Sequence, residues 1–234
     1  MRIAVAQLSC VPVDLDANVE RMAALAKEAA QLGAELVVYP ELALTGYEPD
    51  DLAHDPTRWT YPGDPRLTPL RTAGIATVVN GVAASENGPA ITSFAFGPEG
   101  DLLTTYRKQH LYAEERWVFT PGDTDGRFEL GGIRFALATC YDNHFPELTA
   151  RAHEDDCDVL LASSLYGSEA GVAERASIYP AIAERDWLYV ALANHVGAAG
   201  EWIGCGRSAI WAAGGELLAE ADAESSMVVV ADIG

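Results

Sequence analysis

Short apolar runs separated by helical patterning and tight turns constrain this chain more than any other feature. RIAVAQL at 2–8, ELVVY at 35–39 and WLYVALA at 187–193 read as buried strands. Between the first two, Val19, Met22, Ala26 and Ala29 fall on one face of a helix over 16–32, which Gly33 stops. Further strands are expected at 75–84, 90–96, 101–107, 133–139, 157–162 and in MVVVA near the C-terminus. Helices are expected over 145–154 and 171–185, with a weak one over 65–73 limited by Pro69. Strands alternating with helices give an α/β layered fold. The turns ENGP, PEG, GG (131–132) and AGG (213–215) make hairpins, so the sheets should be mixed. Residues 43–64, rich in Pro, Asp and Gly, should form an irregular loop of a length that usually carries function.

Composition narrows the partners. A formal net charge of -20 argues against general binding to nucleic acid or anionic membranes. Apolar residues make up 49% of the 234, enough for a substantial core in one large domain, 1–234, or two small ones. No apolar stretch reaches membrane-span length, and no basic segment with an apolar core opens the chain, so no leader is expected. Cys10, Cys140, Cys157 and Cys205 form no CxxC pair and have no histidines at zinc-finger spacing. That pattern suits a reducing cytoplasm.

In open α/β sheets, ligands gather at the carboxyl ends of strands. Glu41 follows the strand at 35–39, Lys108 the one ending at Arg107, and Cys140 the one over 133–139. A carboxylate can take a thiol proton, and an ammonium can stabilise an oxyanion and hold the carboxylate. Singly, each has a plain alternative: a buried small hydrophobe, a helix cap, a surface charge.

The surrounding segments bear on that choice. YPELALTGY (39–47), YRKQHL (106–111) and CYDNHFPE (140–147) resemble the three signature segments of the nitrilase superfamily of carbon-nitrogen hydrolases. ERWVFTPG (115–122), AERDWLYVALANHVG (183–197) and GRSAI (206–210) resemble further segments of that family, in order, across residues 2 to about 232. The resemblance implies a single carbon-nitrogen hydrolase domain folded as an α-β-β-α sandwich, with no metal and no organic cofactor. It implies Glu41 as general base, Lys108 as oxyanion-stabilising cation and Cys140 as nucleophile. Glu115 matches the family's second glutamate, with Glu114 as neighbouring competitor. The reaction implied is hydrolysis of a small amide or carbamoyl compound through a thioester, releasing ammonia or an amine.

Tyr47, Tyr141, Leu165 and Tyr166 are candidates to contact substrate; simple packing is their alternative. AsnHis at 143–144 stands where the family often has LeuArg, and His144 is read as structural, with pocket lining as its alternative. Trp117 is expected to anchor the loop after the lysine, and Cys10, Cys157 and Cys205 to be structural. A homodimer through the helices near 145–154 and 171–185 is expected, without tail exchange, because the chain ends just past its last strand. Rival readings are a nitrile hydrolase, a catalytically silent binding protein on the same fold, an N-acyltransferase and a metal hydrolase using Cys140, Asp142 and His144. The last lacks a second histidine cluster.

Overall fold

Successive side chains of a strand point to opposite faces, and in the central strands here both faces are buried. In β1 (Arg2–Gln7), Ala4 and Ala6 face one way into helices, while Ile3 and Val5 face the other way into a second sheet. This explains why the strands read as apolar runs and not as alternating patterns. The computed structural model describes residues 1–234.

The first sheet is built from β1, β2 (Leu36–Val38), β3 (Ala76–Ser85), β4 (Gly88–Phe96), β5 (Leu102–Arg107) and β14 (Met227–Asp232), in the order β14-β1-β2-β3-β4-β5. The second contains β6 (Gly126–Leu130), β7 (Ile133–Thr139), β8 (Val159–Ser164), β9 (Tyr189–Asn194), β12 (Ala209–Trp211) and β13 (Leu217–Glu220), in the order β13-β12-β9-β8-β7-β6. Each has a parallel centre, β1-β2-β3 and β7-β8-β9, with antiparallel hairpins outside it. The sheets pack through Ile3, Val5, Leu36 and Val38 against Phe135, Leu137, Val159 and Leu161.

Helix α1 (Leu15–Gln31) covers the outer face of the first sheet with Val19, Met22, Ala26 and Ala29. Asp14 caps it by accepting from Ala17 N at 3.0 Å, worth about 1 kcal/mol. Gly33, at φ +83°, ends it. Helices α5 (Pro146–Glu154) and α6 (Ala170–Arg185) cover the second sheet through Leu148, Ala152, Tyr179, Ile182 and Ala183. The layers run α-β-β-α, with mixed sheets as expected.

Three details depart from the sequence reading. The loop 43–64 contains a short helix, α2 (Pro49–His54). The expected helix over 65–73 shrinks to a 3-10 turn and the single turn α3 (Thr68–Arg71), because Pro69 has no N–H to donate to the Pro65 carbonyl four residues back. Trp187 is not part of a buried strand: it turns outward at φ +54°, is 67% exposed, and β9 starts at Tyr189. An additional hairpin, β10 (Val196–Ala199) with β11 (Trp202–Cys205), lies outside both sheets. No helix is long and apolar enough to cross a membrane.

Candidate active site

The residue after β7 cannot continue the strand. Thr139 and Asp142 form a reciprocal cap on a 3-10 turn, Cys140–His144, with Thr139 N donating to Asp142 Oδ2 at 2.9 Å. Cys140 is thereby held at φ +46°, a conformation that costs a non-glycine residue on the order of 1–3 kcal/mol. The bend lifts the side chain out of the sheet and leaves it half-buried at the floor of a cavity of about 440 Å³. Its Sγ lies 3.5 Å from Leu165 O.

Glu41 arrives from the other sheet, on the turn after β2, and is fully buried. Leu42, at φ +51°, is fixed by its N–H donating to Asn80 Oδ1 at 2.7 Å. Asn80 Nδ2 reaches Ser93 Oγ at 2.9 Å and Thr139 Oγ1 at 3.4 Å, tying the Glu41 turn to the cysteine strand. Behind Glu41, the Nε2–H of His195 donates to the Glu41 carbonyl oxygen. Burial pushes the His195 imidazole down to about 4, so it is neutral and its Nε2–H is the donor.

Lys108 follows β5 directly, and its ammonium is buried between two carboxylates. Nζ donates to Glu41 Oε1 at 2.6 Å and to Glu115 Oε1 and Oε2 at 2.9 and 2.7 Å. Glu115 starts α4 (Glu115–Val118) and also accepts from Tyr47 Oη at 2.7 Å and Tyr112 N at 2.8 Å. Glu115 is saturated, whereas Glu41 Oε2, fully buried, has no hydrogen-bond partner. Expected residues Glu41, Lys108, Glu115 and Cys140 therefore lie together. Glu114 is the N-cap of α4, outside the lysine's contacts.

Electrostatics follow from this geometry. Burial pushes the Glu41 carboxyl up to about 7; Lys108 pulls it down, Glu115 pushes it up, and the Cys140 thiol adds a weaker downward pull. Burial would lower the Lys108 ammonium, but Glu41 and Glu115 outweigh it and hold it protonated. Burial, then Glu41, push the Cys140 thiol upward against the pull of Lys108. Cys140 thus rests as a thiol beside a carboxylate poised near neutrality, a geometry in which the carboxylate is able to take the thiol proton.

Asp142 joins the lysine loop to the cysteine turn. It is fully buried and accepts from Tyr106 Oη at 2.6 Å, His110 N at 2.8 Å and Gln109 N at 3.2 Å, besides Thr139 N. Cys140 and His144 instead line the cavity, so Cys140, Asp142 and His144 do not converge as metal ligands would.

Tyr47, Tyr141, Leu165 and Tyr166 all line the cavity, and Tyr47 and Tyr166 are also tightly packed. His144 lines it too, and it is also tied down structurally, with Nε2 3.1 Å from Glu174 Oε1. Trp117 is a correction: it anchors nothing, because α4 points it outward and leaves it 86% exposed. The loop is held by Arg116 Nε on Leu111 O instead. Cys10, Cys157 and Cys205 are buried, and all four thiols are free. Asn80, His195 and the cavity residues Glu169, Glu174, Glu201, Trp202 and Ile203 lie outside the expected set of site residues. A polar side chain inside an apolar strand marks Asn80, and a histidine directly after the apolar strand β9 marks His195; nothing local marks the rest.

The carbon-nitrogen hydrolase family model matches residues 2–234. Omega-amidase NIT2 of Xenopus tropicalis is 28% identical over 99% of this chain and 88% of its own length. A variant of the amidase from Nesterenkonia sp. AN1, solved in complex with butyramide, superimposes with a TM-score of 0.89 at 29% identity, covering 98% of this chain and 89% of that one. Another variant, with acrylamide added at its active-site cysteine, gives a TM-score of 0.88 at 28% identity, over 100% and 93% of the two chains. The chain thus belongs to the carbon-nitrogen hydrolase family and sits on its cysteine-dependent, amidase-like side.

Proposed function

We propose that one domain, 1–234, hydrolyses small amides through Glu41, Lys108 and Cys140, with Glu115 positioning the lysine. The observation carrying this reading is the buried Lys108 ammonium clamped by Glu41 and Glu115, with the unpartnered Glu41 Oε2 beside the Cys140 thiol. Glu41 takes the thiol proton, and the sulfur attacks the carbonyl carbon. The oxyanion is stabilised by Lys108 and by the backbone N–H of Tyr141, which the first turn of a helix leaves without a partner inside that helix. Glu41 returns the proton to the leaving nitrogen, the C–N bond breaks, and ammonia departs from a Cys140 thioester. Glu41 then deprotonates water, which attacks the thioester carbon; the C–S bond breaks, the carboxylic acid leaves, and Glu41 returns the proton to the Cys140 sulfur. Tyr47, Tyr141, Leu165 and Tyr166 form the acyl-binding wall. The butyramide and acrylamide held by the related amidase support an amide, over a nitrile or carbamoyl compound, as the substrate class.

The test is ammonia release from aliphatic amides, ω-amides, N-carbamoyl compounds and nitriles, with Cys140→Ala alongside. Release from amides that vanishes in Cys140→Ala is expected. No release from any compound, together with a Cys140 inert to iodoacetamide, refutes the reading and leaves a binding protein. A homodimer through α5 and α6 and a reducing, cytoplasmic setting, supported by the four free thiols, belong to the same proposal. Light scattering showing only a monomer refutes the dimer.

A further inference from the structure

The cavity above Cys140 is charged on one side. Glu169 and Glu174, at the start of α6, and Glu201, at the tip of the β10–β11 hairpin, line it, and no lysine or arginine does. Glu174 is paired with His144, while the carboxylates of Glu169 and Glu201 have neither an ion-pair partner nor a hydrogen bond within the chain. Nearby cations are engaged elsewhere: Arg175 and Arg207 with Glu220, and Lys108 with Glu41 and Glu115. Trp202, half-exposed, stands next to Glu201 on the same wall. This acidic wall does not stand alone. The floor of the same cavity is Cys140, and behind it lies the fully buried, unpartnered Oε2 of Glu41.

We propose that the site selects amides whose acyl chain ends in a cation, an alkylammonium or a guanidinium, and rejects those ending in a carboxylate. The inference rests on the amidase reading above. Ammonia, the leaving group, takes little room, so the acyl chain fills the cavity and its far end meets the wall. All three glutamates are solvent-exposed around the cavity, so salt screens them, but clustered with no cation among them they attract a positive terminus and repel a negative one. The exposed indole face of Trp202 adds a cation–π contact that a methyl or carboxylate terminus lacks. The net charge of the chain plays no part in this; only the placement of the three glutamates does.

The experiment compares kcat/KM for 5-aminopentanamide, hexanamide and glutaramate, which carry an ammonium, a methyl and a carboxylate at similar reach. The ammonium compound should exceed hexanamide by at least about 10-fold, and glutaramate should fall below hexanamide. Raising salt to about 0.5 M should shrink the spread. In Glu169→Gln/Glu201→Gln, checked for folding by its melting curve, the ammonium-to-methyl ratio should collapse toward one. Equal rates for the three amides, or a preference for glutaramate, would overturn the selection and leave hydrolysis intact. If no amide is turned over, the hydrolase reading fails instead, and calorimetry on Cys140→Ala decides the selection by itself. Tighter binding of 5-aminopentanamide then supports it; equal binding or none overturns it.

Discussion

Replacing Glu115 with Gln removes one of the two negative charges on Lys108 while keeping the side chain's shape. Both carboxylates touch one nitrogen, at 2.6 and 2.7 Å, so the contacting oxygens of Glu41 and Glu115 are at most about 5.3 Å apart. At an effective dielectric of about 20, two like charges at that distance repel by about 3 kcal/mol. That repulsion raises the Glu41 carboxyl, which sits at about 7. Without it, and with Lys108 still present, Glu41 should ionise one to two pH units lower, roughly 1.4 kcal/mol per unit. The base must be ionised to act, so wild-type kcat/KM should rise with pH through about 7 and the limb of Glu115→Gln should move toward acid. The maximal rate should also fall, roughly 10²-fold, because Lys108 loses two charged contacts and its position loosens. The assay is ammonia release from butyramide between pH 4.5 and 9. An unmoved limb, or one displaced toward alkali, would refute either Glu41 as the base or the charge on Glu115.

Other outcomes follow from the same geometry. Asp142→Ala leaves the buried Tyr106 hydroxyl and the amides of Thr139 and His110 without their acceptor, and should lose at least about 4 kcal/mol in urea unfolding; a loss below about 1 kcal/mol would contradict its joining role. His195 is held down to about 4 against an ordinary 6.5, so its contribution is fully present above pH 6.5 and disappears as pH falls through about 4, a change of about 3 kcal/mol. Glu41, raised by burial, has the opposite sign over the neighbouring window, so the comparison needed is wild type against His195→Gln, whose stability should fall less on acidification. Gly122→Ala would put a Cβ 2.4 Å from Arg107 O, where Gly122 N binds Lys108 O at 2.8 Å. A loss of about 1–3 kcal/mol is expected, together with lower activity; a neutral melting temperature would show that this loop yields freely.

Much of this protein is legible along the chain. The burial of both faces of β1, β2, β8 and β9 leaves apolar runs that local patterning detects, and Gly33 and the GlyGly turns mark where elements stop. Trp117 and Trp187 differ from expectation because exposure of a large apolar side chain depends on which way its turn faces, and periodicity does not carry that. Glu41, Lys108, Glu115 and Cys140 are readable because the short contiguous segments around them, YPELALTGY, YRKQHL, ERWVFTPG and CYDNHFPE, resemble those of the family.

What the sequence by itself determined is therefore the layered α/β class, the strand ends and the residue types able to do thiol chemistry. Tertiary structure decided the charge state of those residues and the character of the cavity. Glu41 comes from one sheet and Cys140 from the other, and only their joint burial around Lys108 sets which group holds a proton. The cavity wall joins α6 to the β10–β11 hairpin, so Glu169, Glu174 and Glu201 become neighbours through packing of distant segments, which no local pattern encodes.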